Sequence, residues 1–159
     1  MTEAVLSETD HEFLDLAIEQ AEASLQEGGC PVGAVLALDD RLIATGRNQR
    51  VQRADPLGHA ELVCLRQAGR QSSLAEMSLF VTLAPCLMCA GTIAQFQIPR
   101  LIIGDTVNYA GHAEFLQVHG VDIVAVDDTR CIEMMAAFIA DRPALWAEDM
   151  GDCRVLNSA

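Results

Sequence analysis

Two cysteines three residues apart, in Pro85-Cys86-Leu87-Met88-Cys89, are the residues of this chain whose spacing most directly suggests chemistry. They follow the apolar run Leu79-Phe80-Val81-Thr82-Leu83, which reads as a buried strand, and they open a helix expected over Cys86 to Phe96. In the first turn of a helix, residues i and i+3 share a face. Unpaired N–H groups and the positive dipole end lower thiol pKa there, and thiolate is the form that ligates metal. Upstream, His59-Ala60-Glu61 supplies an imidazole and, two residues on, a carboxylate. One His and two Cys form a three-ligand set for zinc. A structural zinc site is closed by a fourth protein ligand, whereas a catalytic one leaves that position to water. The candidates here are Glu61, Cys64 and solvent. Cys64 comes five residues after His59, off the face that His59 would share with i+3 or i+4, and reads as a small buried apolar residue. Glu61 is placed to bond a metal-activated water and take its proton.

The elements that must position these groups are legible in order. Thr9-Asp10-His11-Glu12 resembles a capping box, and Phe13, Ala17, Ala21 and Leu25 repeat at helical spacing up to Gly28-Gly29. Pro31 to Leu38 and Arg41 to Gly46 read as a hairpin turning at Asp39-Asp40, with Asn48 just beyond. Asp55 to Gly58 is a loop that delivers His59 to a helix ending near Ala68. Ser78 to Ala84 leads into the cysteine helix, and Leu101 to Gly104 is a further short strand. Asn108 to Gly111 reads as a loop and Glu114 to Val118 as a helical turn or two, with His112 and His119 as exposed loop residues rather than ligands. Asp122 to Val126 is the last strand, followed by a helix capped by Asp127 or Asp128. Pro143 suits the first position of a final helix carrying Trp146. This order predicts an α/β fold, a three-layer α/β/α sandwich whose mixed five-stranded sheet has helices on both faces. It brings the His59 helix and the cysteine helix into one crevice by their N-termini.

Composition narrows the class. At 159 residues, 51% of them hydrophobic, the chain fits a single domain over 1–159. Ten Lys and Arg against 23 Asp and Glu give a net charge of -13, and no basic stripe is present, so no nucleic-acid partner is expected. The apolar runs are too short for a membrane helix, and Glu3, Glu8 and Asp10 stand where a signal peptide needs basic residues. Six cysteines without disulfide-like spacing point to a reducing, cytoplasmic setting.

The pattern H-x-E…P-C-x-x-C is the signature of zinc-dependent nucleobase deaminases, and through it the chain resembles the cytidine deaminase superfamily. Its wider likeness, from about Ile18 to Gly151, is to the small fungal-type cytosine deaminases. It rests on Glu27 to Gly33, Gly46-Arg47-Asn48, Gly58 to Glu61, Thr82 to Cys89, Ile98-Pro99-Arg100, Val107-Asn108-Tyr109, Val126 to Cys131 and Trp146 to Asp149. The resemblance implies one zinc per chain on His59, Cys86 and Cys89, with Glu61 as the catalytic proton shuttle. It implies that Asn48 bonds the ring carbonyl and a ring nitrogen and that Asp149 accepts from the exocyclic amine. Tyr109 and Trp146 would flank the ring, Val32 would line it, and the N–H groups of Ala60 and Cys86 would complete the contacts. Residues 143–151 would form a lid, and the enzyme would be a homodimer.

The implied reaction is hydrolysis of cytosine to uracil and ammonia, a step of pyrimidine salvage. The alternatives are a related small ring (5-substituted cytosine, creatinine or guanine), a tRNA adenosine deaminase, or a non-enzymatic module held by structural zinc. Asp55-Pro56-x-x-His59-Ala60-Glu61 and Cys86-x-x-Cys89-Ala90-Gly91 also resemble the tRNA enzymes, but Trp146-Ala147-Glu148-Asp149 is acidic where those expect a basic helix. The chain departs from the fungal pattern at Ala60, Leu87, Tyr109, Ala147 and a shorter 109–114 loop. The smaller Ala147 and the added Tyr109 hydroxyl predict a drift towards a bulkier or more polar ring, the hydroxyl needing a protein or substrate partner.

Overall fold

In the computed structural model, which describes residues 5–151, the sheet is organised around its most apolar strands. Glu3, Cys153 and the two ends of the expected 1–159 domain lie outside the described residues. Strand β1 (Gly33–Leu38) pairs antiparallel with β2 (Arg41–Arg47) and with β3 (Met77–Val81). Asp39, in the left-handed region at φ 51°, makes the turn of the hairpin. β4 (Arg100–Ile103) and β5 (Asp122–Ala125) add parallel to β3, giving the order β2-β1-β3-β4-β5. The mixed five-stranded sheet expected from the sequence is therefore present.

Side chains alternate between the two faces of a strand, and each face is covered. Val35, Ala37, Phe80 and Ile102 meet Phe13, Leu14, Ala17 and Ile18 of α1 (Glu8–Gln26) and Cys131 of α6 (Thr129–Asp141). Ala34, Leu36, Leu79, Val81, Leu101 and Ile103 meet Ala60 and Cys64 of α3 (Ala60–Ala68), Ala90 and Ile93 of α4 (Leu87–Gln95), and Leu116 of α5 (Ala113–Val118). Phe80 sits at the centre, 1% exposed and tilted against Phe13 at 5.4 Å. Burying such a ring is worth about 1.5–3 kcal/mol. The helix–sheet approach is closest at Gly33, where a Cβ would run into the Ala17 carbonyl. Among the described residues no helix is long and apolar enough to cross a membrane.

Several boundaries differ from the sequence expectation. α1 is capped by Ser7, not Thr9: the Ser7 hydroxyl accepts from the Asp10 N–H and the Asp10 carboxylate accepts from the Ser7 N–H, both at 3.0 Å. Two capping frames overlap in this stretch, and the earlier one prevails because Asp10 also receives both guanidinium branches of Arg100 at 2.8 Å. β1 begins at Gly33 rather than Pro31, and β3 ends at Val81. Beyond Val81 the chain is held instead by the Thr82 hydroxyl accepting from the Gly33 N–H and by the Ala84 N–H donating to the Asp105 carbonyl. The one-turn helix α2 (Arg50–Arg53) was not expected; it ends at Ala54, another left-handed residue. α7 (Pro143–Asp149) starts at Pro143, as predicted.

Candidate metal centre and active site

His59 and Cys86 occupy equivalent places in their helices. Each is the N-cap, with extended backbone (φ -73°, ψ 149° and φ -67°, ψ 173°), so its side chain hangs over the open end of the helix it precedes. Cys89 is the third helical residue of α4 and turns back to the same point. α3 and α4 lie on one face of the sheet, and their N-termini converge there. The ligating atoms of His59, Cys86 and Cys89 all lie within 4.8 Å of one another. Cys86 Sγ is 3.5 Å from His59 Nδ1. A tetrahedral zinc with ordinary Zn–S and Zn–N bonds has a nitrogen–sulfur edge of about 3.5 Å, so the arrangement fits one zinc ion. Cys64 cannot close the set: its thiol points to the Ala44 carbonyl, 3.4 Å away beneath β2.

The protons in this cluster are shared in a way that a cation would displace. The Cys89 thiol beside it draws the Cys86 pKa down to about 4; burial opposes this and His59 adds to it. Cys89 itself is pushed far up, by the Cys86 sulfur first and then by burial and Glu61. Glu61, 4% exposed and behind the ligands, accepts from the Cys89 thiol at 3.2 Å. Burial pushes the Glu61 carboxyl above its usual range, with His59 opposing.

The opposite wall is polar. Asp149, at the end of α7, has a side chain only 5% exposed. Its Oδ2 accepts from Asn48 Nδ2 at 2.8 Å, and its Oδ1 lies 3.4 Å from His59 Nε2. The carboxylate thus steadies the outer nitrogen of the imidazole whose inner nitrogen faces the cysteines, an arrangement that fixes tautomer and ring orientation at metal sites. Asn48 is fixed at every polar atom. Its N–H donates to the Val32 carbonyl at 2.9 Å, its carbonyl accepts from the Ser24 hydroxyl at 2.7 Å and the Gln52 amide at 3.0 Å, and its Oδ1 accepts from the Arg50 N–H at 3.1 Å.

These groups surround a narrow pocket. Val32, Asn48, Ala60, Glu61, Asp149 and Met150 line it, over His59 and Cys86. It opens into a wider mouth bordered by Tyr109, His112, Leu87, Met88 and Glu148. Of the residues singled out in the sequence, Tyr109 stands at the mouth. Trp146 lines neither space and meets Tyr109 edge-on at 6.3 Å and 80°. Ala147 is buried away from both spaces.

Comparison with known proteins agrees with this geometry. Residues 7–105 match the family described as the cytidine and deoxycytidylate deaminase zinc-binding region. The chain belongs to that family. This zinc-dependent deaminase is 36% identical over 146 residues to a cytosine deaminase of Candida albicans, covering 90% of this chain and 97% of the relative. It is 37% identical over 101 residues to a tRNA-specific adenosine deaminase of Buchnera aphidicola, covering 62% of this chain and 67% of that one. Among solved structures, one from studies of tRNA:A34 deaminases superposes with a TM-score of 0.70 at 31% identity, over 78% of this chain and 99% of that one. A guanine deaminase from Nitrosomonas europaea shares the fold, with a TM-score of 0.71 at 19% identity over 86% of each chain.

Met150, the neighbour able to fill space left by the small Ala147, reaches the pocket beside Asp149. Other residues of this deaminase's pocket were not found from sequence. Leu83 and Ala84 line it because they leave the carboxyl end of β3, where ligands bind in open α/β sheets. His112 is not an exposed loop residue: it is half-buried at the mouth and bonded to Tyr109.

Proposed function

We propose that the chain hydrolytically deaminates free cytosine to uracil and ammonia. The observation that carries this reading is Asp149. A carboxylate delivered by the C-terminal helix and tied to Asn48 at 2.8 Å faces the pocket beside His59. Such a wall can read a ring that bears an amine next to a ring nitrogen. The identity to the Candida albicans cytosine deaminase, over 90% of this chain, supports the same substrate.

His59, Cys86 and Cys89 would hold the zinc, which when bound activates water near neutral pH. The remaining steps belong to side chains. The second amide hydrogen of Asn48 is free for the ring carbonyl, and Asp149 has a lone pair left for the exocyclic amine. The N–H groups of Ala60 and Cys86, at their helix starts, offer further donors to the ring, and Val32 packs against it. As water attacks the amine-bearing carbon, Glu61 takes its proton and returns it to the adjacent ring nitrogen. The second proton of that water follows through Glu61 to the amine, the carbon–nitrogen bond breaks, and ammonia leaves. One water enters and one ammonia departs. The raised pKa of Glu61 suits a group that must both take and give a proton.

The segment 143–151 acts as the lid, with Asp149 and Met150 as the parts that reach the pocket. A second copy is proposed to pack on the face where Leu87 and Phe96, by α4, and Val118, on α5, are exposed. The five described cysteines are all free, which supports a cytoplasmic location, and the net charge of -13 argues against a tRNA partner. The test is ammonia release from cytosine, 5-methylcytosine, isocytosine, guanine, creatinine and a tRNA anticodon stem-loop. Cytosine should lead; a higher rate on any other member of the set replaces the assignment.

A further inference from the structure

The Tyr109 hydroxyl has its partner within the protein. Its oxygen is 3.1 Å from His112 Nε2, and the two rings meet edge to face at 6.3 Å. Tyr109 also meets Trp146 edge-on, at 6.3 Å. The loop that carries both residues is pinned. Asp105, fully buried, accepts from the N–H groups of Val107 and Asn108 and from the Asn108 amide, and that amide also donates to the Ile132 carbonyl. Gly111, at φ +71°, lies so close to Ala84 that a Cβ there would come within 2.8 Å of the Ala84 methyl. The loop therefore rests on the segment just before Cys86, and Tyr109 and His112 both face the mouth of the pocket.

We propose that His112 is a positioning residue that sets the specificity of the mouth. Its imidazole holds the Tyr109 hydroxyl, so the ring stands fixed against His112 and Trp146 and offers substrate an apolar edge instead of a polar group. A ring held this way before substrate arrives costs no ordering on binding. The hydroxyl that distinguishes this chain from a Phe-bearing mouth is thus spent inside the protein, and polar substituents on the base gain nothing from it. This rests on the reading of the inner pocket as a deaminase site, but the contact between Tyr109, His112 and Trp146 does not.

The chain has one Trp, so its tryptophan fluorescence comes from Trp146, whose ring meets Tyr109. Zinc-loaded wild type, His112→Ala, His112→Gln, Tyr109→Phe and the His112→Ala/Tyr109→Phe double variant are compared in two measurements. The first, without substrate, is Trp146 emission and its quenching by acrylamide. His112→Ala should shift the emission to the red and raise the quenching, and His112→Gln, whose amide nitrogen reaches the Nε2 position, should restore both. The second is kcat and KM. His112→Ala should raise KM by about two- to tenfold, the worth of one neutral hydrogen bond, with kcat little changed. It should add nothing in the Tyr109→Phe background. Unaltered fluorescence in His112→Ala, or an equal His112→Ala effect with and without the Tyr109 hydroxyl, overturns the proposal. If no variant, wild type included, turns over any base, the deaminase reading falls and the fluorescence still decides the contact.

Discussion

Replacing Asp10 by Asn removes one charge and almost no volume. Asp10 caps α1 from within the helix and receives a two-branched bond from Arg100 at the start of β4, ninety residues away in sequence. The Arg100 guanidinium is the main reason its carboxyl is lowered from the usual 3.8 to about 2; burial opposes this, and the Ser7 N–H and hydroxyl assist. A depression of that size corresponds to about 2 kcal/mol of stability at neutral pH. Because the folded pKa lies below the unfolded one, the contribution is complete above pH 4 and lost as the pH falls through 2. About half of it is gone by pH 3. Asp10→Asn also leaves Arg100, 31% exposed, without its counter-charge, so the expected loss at pH 7 is about 2–3 kcal/mol. The assay is urea unfolding of zinc-loaded wild type and variant at pH 7, 5, 4 and 3. Acid release of the metal is common to both proteins and cancels in their difference. That difference should be flat from pH 7 to 5 and shrink below 4, and an Asp10→Asn/Arg100→Gln cycle should show coupling of about 2 kcal/mol. A difference under about 0.5 kcal/mol at pH 7, or one that does not change with pH, refutes the reasoning.

Glu61→Gln should keep zinc, measured by metal analysis, and lose about two to four orders of magnitude in kcat, because an amide cannot carry the proton; near-normal turnover in a zinc-loaded variant removes Glu61 from the mechanism. Gly33→Ala should destabilise by roughly 3 kcal/mol and depress soluble yield, since β1 and α1 must part to admit the methyl group; a wild-type melting temperature would show that the approach can relax. At physiological salt a tRNA anticodon stem-loop should show no binding in a fluorescence-anisotropy titration, given the net charge of -13; salt-sensitive micromolar affinity would restore the tRNA reading.

The sequence was most informative where spacing alone constrains geometry. His59, Cys86 and Cys89 each stand at a helix start, and turn residues and apolar periodicity locate helix starts well. The continuous apolar runs of β1, β3 and β4 likewise marked them as buried strands. Asn48 and Asp149 carry no such local signal. They meet across 101 positions, and only resemblance to a family singled them out. The Ser7 cap was illegible because Thr9 heads an equally good frame, and a distant Arg decides between them. His112 was misjudged because a loop histidine looks solvated until the Tyr109 hydroxyl is placed against it. Of the two partners expected for the Tyr109 hydroxyl, a protein group or a substrate atom, His112 is the protein group.

The metal cluster and Glu61 all lie between residues 59 and 89, inside the stretch 7–105 that defines the family, whereas Asp149 and Met150 enter the pocket from outside it. In the proposed reading recognition is split: Asn48, Val32 and Ala60 lie with the reaction inside 7–105, and only the wall made by Asp149 and Met150 comes from beyond it. A change in α7 can alter which ring is read while the machinery that moves the proton stays intact, and a graft of a relative's C-terminal helix onto residues 7–141 becomes a rational way to exchange one substrate for another. The tether on such exchange is the 3.4 Å approach of Asp149 to His59. Any new tail must bring an acceptor to that nitrogen, or the imidazole loses its outer support along with the old specificity.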